Sequence, residues 1–186
     1  DVVTVGHKRG TYQIDLASTD SIASLFKTIG TCDAVVSTAG IAKFASLDDL
    51  TYDDYFIGLK NKLMGQANLV RIGRPFVTNH GSFTLTSGVL SQEPMKGSCA
   101  ISMANAGLEG FVRAAAIDLG SANVNVNAVA PGFIRTERMA MLPAEVADRA
   151  TKHSVLGRLA EPDDVAKVIA FLCSEEGVGA IRDDIE

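Results

Sequence analysis

Val124-Asn125-Val126-Asn127-Ala128-Val129 is followed at once by Ala130-Pro131-Gly132-Phe133-Ile134-Arg135-Thr136. The first stretch alternates valine with polar or small residues, which reads as a strand. Pro131-Gly132 breaks it, because proline cannot donate to a strand ladder and glycine favours a bend. The segment is thus a strand ending in an abrupt loop, and the same grammar recurs upstream. Val2 to Val5 is an unbroken β-branched strand stopped by Gly6, and Tyr12 to Leu16 reads as a second. Asp33 to Ser37 ends at Thr38-Ala39-Gly40, and Ser82 to Thr86 closes at Ser87-Gly88.

Helical spacing fills the intervals. Ser18 to Gly30 carries Ile22, Leu25, Phe26 and Ile29 on one face, with polar residues at its start and Gly30 as a stop. A helix from Phe56 to Phe76 is expected after two acidic clusters, and Ser102 to Leu119 has a continuous apolar stripe. Glu161-Pro162-Asp163-Asp164 opens a last helix, with proline at the first turn and acids at the N-terminus. Strand and helix alternate throughout. This predicts an α/β fold, a doubly wound parallel sheet of Rossmann-like type in three α/β/α layers, forming a single domain over 1–186. Ligands of such sheets sit at the carboxyl ends of the strands, so the residues just after each strand are the ones to question.

Composition agrees with a globular chain: 186 residues, 47% hydrophobic and 21% charged. The net charge of −5 with scattered basic residues speaks against nucleic acid or an anionic membrane as the partner. No apolar run approaches the ~20 residues of a membrane-spanning helix. Cys32, Cys99 and Cys173 lack metal-ligand spacing, so no metal site is expected; they read as reduced, buried, small apolar residues, which implies a cytoplasmic location.

Taken together, the residues after the strands resemble the short-chain dehydrogenase/reductase family. Thr38-Ala39-Gly40 stands where that family has Asn-Ala-Gly beside the adenine ribose, and Asp15-Leu16 fits its adenine-contacting acid. Asn125 to Thr136 is similar to the segment that holds the nicotinamide carboxamide, implying cofactor contacts from Pro131, Gly132, Ile134 and Thr136. Gly157-Arg158, Glu161 to Ala166 and Phe171-Leu172 match the C-terminal helix.

His7-Lys8-Arg9 follows the first strand without an acid. An acid near such a strand end accepts the ribose 2′-hydroxyl of NAD, whereas arginine accommodates the 2′-phosphate of NADP. NADP(H) is therefore expected rather than NAD, the other reading being a solvated basic turn. No glycine-rich phosphate turn occurs in the sequence; by the resemblance Val2–Val5 is the second strand, so a strand and helix are expected to precede it. After Gly177-Val178-Gly179 the acidic run to Glu186 does not read as a final buried strand.

The resemblance also exposes substitutions. The family uses Ser and Tyr on the substrate carbonyl, Lys to lower the Tyr pKa, and Asn to hold a relay water. Alignment on Ala106 to Gly110 puts Ile101 at Tyr and Asn105 at Lys, while Gly88 falls at Ser and Lys62 at Asn. None of the 3 tyrosines is spaced to substitute for the missing one. Asn and Lys thus look exchanged between two helices, with Lys62 reaching the nicotinamide ribose or a developing oxyanion from the opposite side and Ser87 or Ser102 supplying a hydroxyl. Ser87, Lys62 and Asn105 are the catalytic candidates.

The resemblance implies hydride transfer between a nicotinamide and a small carbonyl or alcohol. The alternatives are a catalytically silent nucleotide-binding homologue or a purely structural one. The substrate pocket is expected between Val89–Ser98 and Glu137–Pro143. A homodimer is expected through the helices Phe56–Phe76 and Ser102–Leu119.

Overall fold

In the computed structural model, which describes residues 1–140 and 144–180, every strand pairing is parallel. β1 (Val5–Gly6) pairs with β2 (Tyr12–Gln13), and β3 (Cys32–Ser37), β4 (Val77–Thr86) and β5 (Asn125–Val129) form a second sheet with β4 in the centre. The expected α/β architecture is present, but its strands are hydrogen-bonded as two groups rather than one continuous sheet.

The larger sheet owes its order to alternation. Val35, Phe83 and Val126 stand abreast across the three strands and share one face. Phe83 and Leu85 are fully buried there against Leu108, Val112 and Ala115 of helix α4 (Cys99–Gly120). Helix α1 (Thr19–Ile29) starts at the Ser18 cap, whose hydroxyl accepts from the Ser21 amide, and ends at Gly30. Its Ile22, Leu25 and Phe26 form a second cluster with Ile14 and Leu69.

The expected helix Phe56–Phe76 begins earlier and is not uniform. Thr51 and Asp54 form a reciprocal capping box that starts helix α2 (Tyr52–Gly58). A wider π-turn follows over Leu59–Met64, and helix α3 (Gly65–Gly73) resumes the regular pitch. β4 extends upstream of the expected Ser82, but only after an irregularity in register near His80, whose φ is 65°. The alternating part of the strand is therefore the part that was readable.

Beyond β5 the chain forms α5 (Glu137–Ala140), α6 (Ala144–His153), α7 (Pro162–Leu172) and α8 (Glu175–Ala180). The expectation for the chain's end beyond Ala180 lies outside the described residues. One expectation needs correction. Cys99 is exposed, because it opens α4 on the solvent side, whereas Cys32 and Cys173 are half-buried. Among the described residues no helix is long and apolar enough to cross a membrane.

Candidate functional site

On its β3 side the end of β4 is held by a side chain, while on the other side it stays paired with β5 as far as Thr86 and Val129. Register with β3 stops at Ser37–Leu85. One residue on, the Thr86 amide donates to Gln66 Oε1 at 2.9 Å and Gln66 Nε2 donates to the Thr86 carbonyl at 3.1 Å. Gln66 on α3 is completely buried and so replaces a strand neighbour.

One turn earlier, in the wide turn 59–64, Lys62 Nζ donates to the Ser87 carbonyl at 2.9 Å. Interruptions of this kind in a helix re-aim side chains and recur at functional sites. The lysine stem passes Gly40 just after β3. A Cβ on Gly40 would stand 2.7 Å from Lys62 Cγ, and its φ of 154° also favours glycine. Thr38, Ala39 and Gly40 are all exposed.

Helix α4 approaches the same turn from the other side. Asn105 is buried, and its Nδ2 donates to the Gly88 carbonyl at 3.3 Å. Gly88 is close-packed: a Cβ there would lie 3.0 Å from Asn105 Nδ2. Ile101 lies one turn before Asn105 on α4, half-buried and without a proton to give.

One turn beyond Asn105 is a residue that the sequence reading did not single out. Glu109 Oε1 accepts from Ser87 Oγ at 2.6 Å and from Ser91 Oγ at 2.5 Å. The Ser87 hydroxyl also approaches the Asn105 carbonyl at 3.2 Å. Burial alone would raise the Glu109 pKa, but hydrogen bonds from Ser87, Ser91 and Gln92 and the nearby Arg113 guanidinium hold it below the usual carboxylate value. Glu109 is therefore ionised at neutral pH. Its only signal in the sequence was the four-residue spacing Ile101, Asn105, Glu109 along one helix stripe.

The loop after β5 completes this end of the sheet. The Ser87 amide donates to the Val129 carbonyl at 2.8 Å and the Val89 amide to the Pro131 carbonyl at 3.0 Å. Ile134 then makes an isolated parallel bridge with Ala160. Exposed ion pairs Arg135–Glu161 and Arg158–Asp164, both 2.8 Å, flank the start of α7. Thr136 Oγ1 accepts from the Met139 amide at 3.3 Å and caps α5.

A cavity of about 640 Å³ opens between this loop and the turn after Ser87, with Val89, Leu90 and Met95 on one wall. Gly132, Phe133 and Leu156 also line it, whereas residues 141–143 of the expected segment Glu137–Pro143 lie outside the described residues. The bridge between Ile134 and Ala160 brings Ser154, Leu156 and Ala160 to the cavity as well.

The remaining candidates are on the smaller sheet. His7, Lys8 and Arg9 are exposed in the turn between β1 and β2. Neither Lys8 nor Arg9 has a carboxylate partner among the described residues. Asp15 Oδ1 accepts from the Ala17 amide at 2.9 Å, so part of its carboxylate caps its own turn. Leu16 rests on α3, where a Cβ on Gly65 would come 2.9 Å from its Cβ. The structure thus brings Gly40, Lys62, Ser87, Asn105 and Pro131 together at the ends of β3, β4 and β5, and leaves His7–Arg9 on the β1–β2 turn. Among the described residues, no group of His, Cys, Asp and Glu is placed to hold a metal ion.

Residues 2–181 match the protein family described as Enoyl-(Acyl carrier protein) reductase. The chain is 30% identical over 171 residues to 3-oxoacyl-[acyl-carrier-protein] reductase FabG of Thermotoga maritima, covering 89% of this chain and 70% of that protein. The crystal structure of the protein lin1944 from Listeria innocua is similar at 30% identity and a TM-score of 0.72, over 87% of each chain. A short chain dehydrogenase from Burkholderia cenocepacia J2315, solved in complex with NADP, is similar at 28% identity and a TM-score of 0.82 over 90% of this chain and 70% of that one.

Proposed function

The chain belongs to the short-chain dehydrogenase/reductase family of nucleotide-dependent oxidoreductases, and from this premise we propose that it is an NADP(H)-linked reductase of small carbonyl compounds or the corresponding alcohols. The observation that carries the reading is the convergence of Lys62, Asn105 and Pro131 on the turn Ser87–Val89, at the strand ends where such sheets take their ligands. The Thermotoga relative is named for a 3-oxoacyl substrate, and the Burkholderia relative was solved with NADP. Both are consistent with carbonyl reduction by a phosphorylated dinucleotide.

The residues present suit that cofactor. Exposed Lys8 and Arg9, with His7, form a cationic turn for a 2′-phosphate, since a guanidinium holds phosphate through paired, charge-assisted hydrogen bonds. Asp15 and Leu16 would flank the adenine, and exposed Thr38, Ala39 and Gly40 the adjoining ribose. Gly132 has open space where a Cβ would stand, leaving room for the nicotinamide beside Pro131, Ile134 and Thr136. The bound cofactor would supply the hydride. Lys62 places a positive charge at this end of the sheet, Asn105 holds the Gly88 carbonyl, and Ser87, its hydroxyl turned to Glu109, fixes the turn between them.

Ile101 favours a second reading, a protein that binds the nucleotide without turnover, because general acid help from a residue there is worth about 10²–10⁴-fold and isoleucine has no proton to give. Met64, Met103 and Ile117 leave large apolar side chains exposed on the long helices, which supports a homodimer through them.

Fluorescence titration with NADPH and then NADH, followed by a hydride-transfer assay on a panel of ketones and aldehydes, tests these readings. Binding that prefers NADPH together with turnover supports the reductase. Binding without turnover supports the silent homologue, and binding of neither nucleotide overturns both.

A further inference from the structure

Glu109 is the ionised group at this end of the sheet that the proposed function leaves unused. Three side chains hold the turn after β4. Lys62 and Asn105 take the backbone carbonyls of Ser87 and Gly88, whereas Glu109 alone takes side-chain hydroxyls, those of Ser87 and Ser91. Hydrogen bonds to a carboxylate are roughly twice as strong as neutral ones. The two serines bracket Gly88, Val89 and Leu90, and the last two of these form a wall of the 640 Å³ cavity. Ser87 is buried, and Ser91 Oγ, donating to Glu109, also lies 3.0 Å from the Gly88 carbonyl, so the bracket is compact.

We propose that Glu109 is a positioning residue: by clamping Ser87 and Ser91 onto α4 it sets where Val89 and Leu90 stand, and so which carbonyl compounds the cavity admits. Glu109 bonds to the serines that bracket this wall and to none of the residues assigned to the nucleotide. The proposal rests on the reductase reading, because it takes the cavity as the place of the carbonyl compound. Cutting the clamp should weaken ketone binding and leave NADPH affinity alone.

The experiment compares the purified full chain with Glu109→Leu and Glu109→Gln. Amide-hydrogen exchange is followed over residues 88–95, NADPH affinity by fluorescence, and affinity for a panel of cyclic and aryl ketones by calorimetry in the presence of NADPH. For Glu109→Leu, exchange over 88–95 should rise about tenfold and ketone affinity fall about tenfold, the scale of one lost hydrogen bond to a charged group. NADPH affinity should stay within about twofold of the unaltered chain, as expected for a contact outside the nucleotide surface. Glu109→Gln, whose amide oxygen still accepts, should recover both quantities to within about threefold.

The clamp is overturned if Glu109→Leu leaves 88–95 unchanged, or if exchange rises equally along the whole of 99–120. The specificity role is overturned if the unaltered chain binds no ketone, or if ketone affinity is the same in all three proteins. Failure of the unaltered chain to bind NADPH counts instead against the reductase reading, and the exchange pattern then judges the clamp by itself.

Discussion

Lys62 and Ser87 are joined across 25 residues of chain by one hydrogen bond, 2.9 Å from ammonium to backbone carbonyl. The bond ties the wide turn 59–64 of one long helix to the end of the central strand. It also leaves a positive charge beside the exposed loop that ends at Gly40. A cation in this place attracts an anionic or electron-rich ligand group and stabilises charge that develops on it.

Lys62→Met keeps the apolar stem and removes only the charge and the donor. The Ser87 carbonyl then loses a charged partner, a loss of about 1.5–3 kcal/mol where the group stays buried. Urea unfolding should show destabilisation within that range, and NADPH affinity should fall. An unchanged NADPH affinity would remove Lys62 from the cofactor surface.

Gly40→Ala is expected to act through the same lysine. The new Cβ would meet Lys62 Cγ at 2.7 Å, and a φ of 154° is itself unfavourable for alanine. The backbone part alone is worth about 1–3 kcal/mol. In a double-mutant cycle with Lys62→Ala, the penalty of Gly40→Ala should shrink but not vanish, because the truncated stem relieves the clash and leaves the backbone strain. Equal penalties in the two backgrounds would mean that the lysine stem bends away at no cost.

Gln66→Leu tests whether a side chain really replaces a strand on the β3 side at the end of β4. It removes both hydrogen bonds to Thr86 and leaves a buried amide and carbonyl unpaired. Each such group costs about 1–3 kcal/mol, so destabilisation of several kcal/mol is expected in chemical unfolding. Gln66→Glu should recover little of this at neutral pH, because a carboxylate can accept from the Thr86 amide but turns its other oxygen against the Thr86 carbonyl and buries a charge.

Much of this architecture was legible because it depends on local signals. Helix α1 follows from Ser18, the apolar positions 22, 25 and 26, and Gly30, all of which act within the helix itself. The alternation in Val124–Val129 likewise announces β5, because one face must meet α4. Two sheets in place of one were not legible, since strand pairing is decided by chain neighbours far apart in sequence. Cys99 was misplaced for a different reason: cysteine is usually buried, but position on the helix decides which face it takes. Lys62, Asn105 and Ser87 could be singled out by spacing and resemblance. Glu109 could not, because a glutamate on an amphipathic helix normally faces water and its partners arrive only when β4 docks on α4.

Glu109 gives the stability a definite pH dependence. Its folded-state pKa lies below the ordinary glutamate value, which is about 4.3 in unfolded chains. The carboxylate is therefore favoured by folding, and its contribution is fully present above the ordinary value. As pH falls through the lower folded-state value the group takes up a proton and the contribution disappears. The stability difference between the unaltered chain and Glu109→Gln should accordingly be flat above about pH 5.5 and shrink steadily below about pH 4.3. Added salt should reduce the part due to Arg113 and leave the serine hydrogen bonds largely intact, because screening acts on separated charges and not on a direct contact. A difference that grows on acidification would mean that Glu109 is protonated in the folded protein and donates to one of the serines in place of accepting from both.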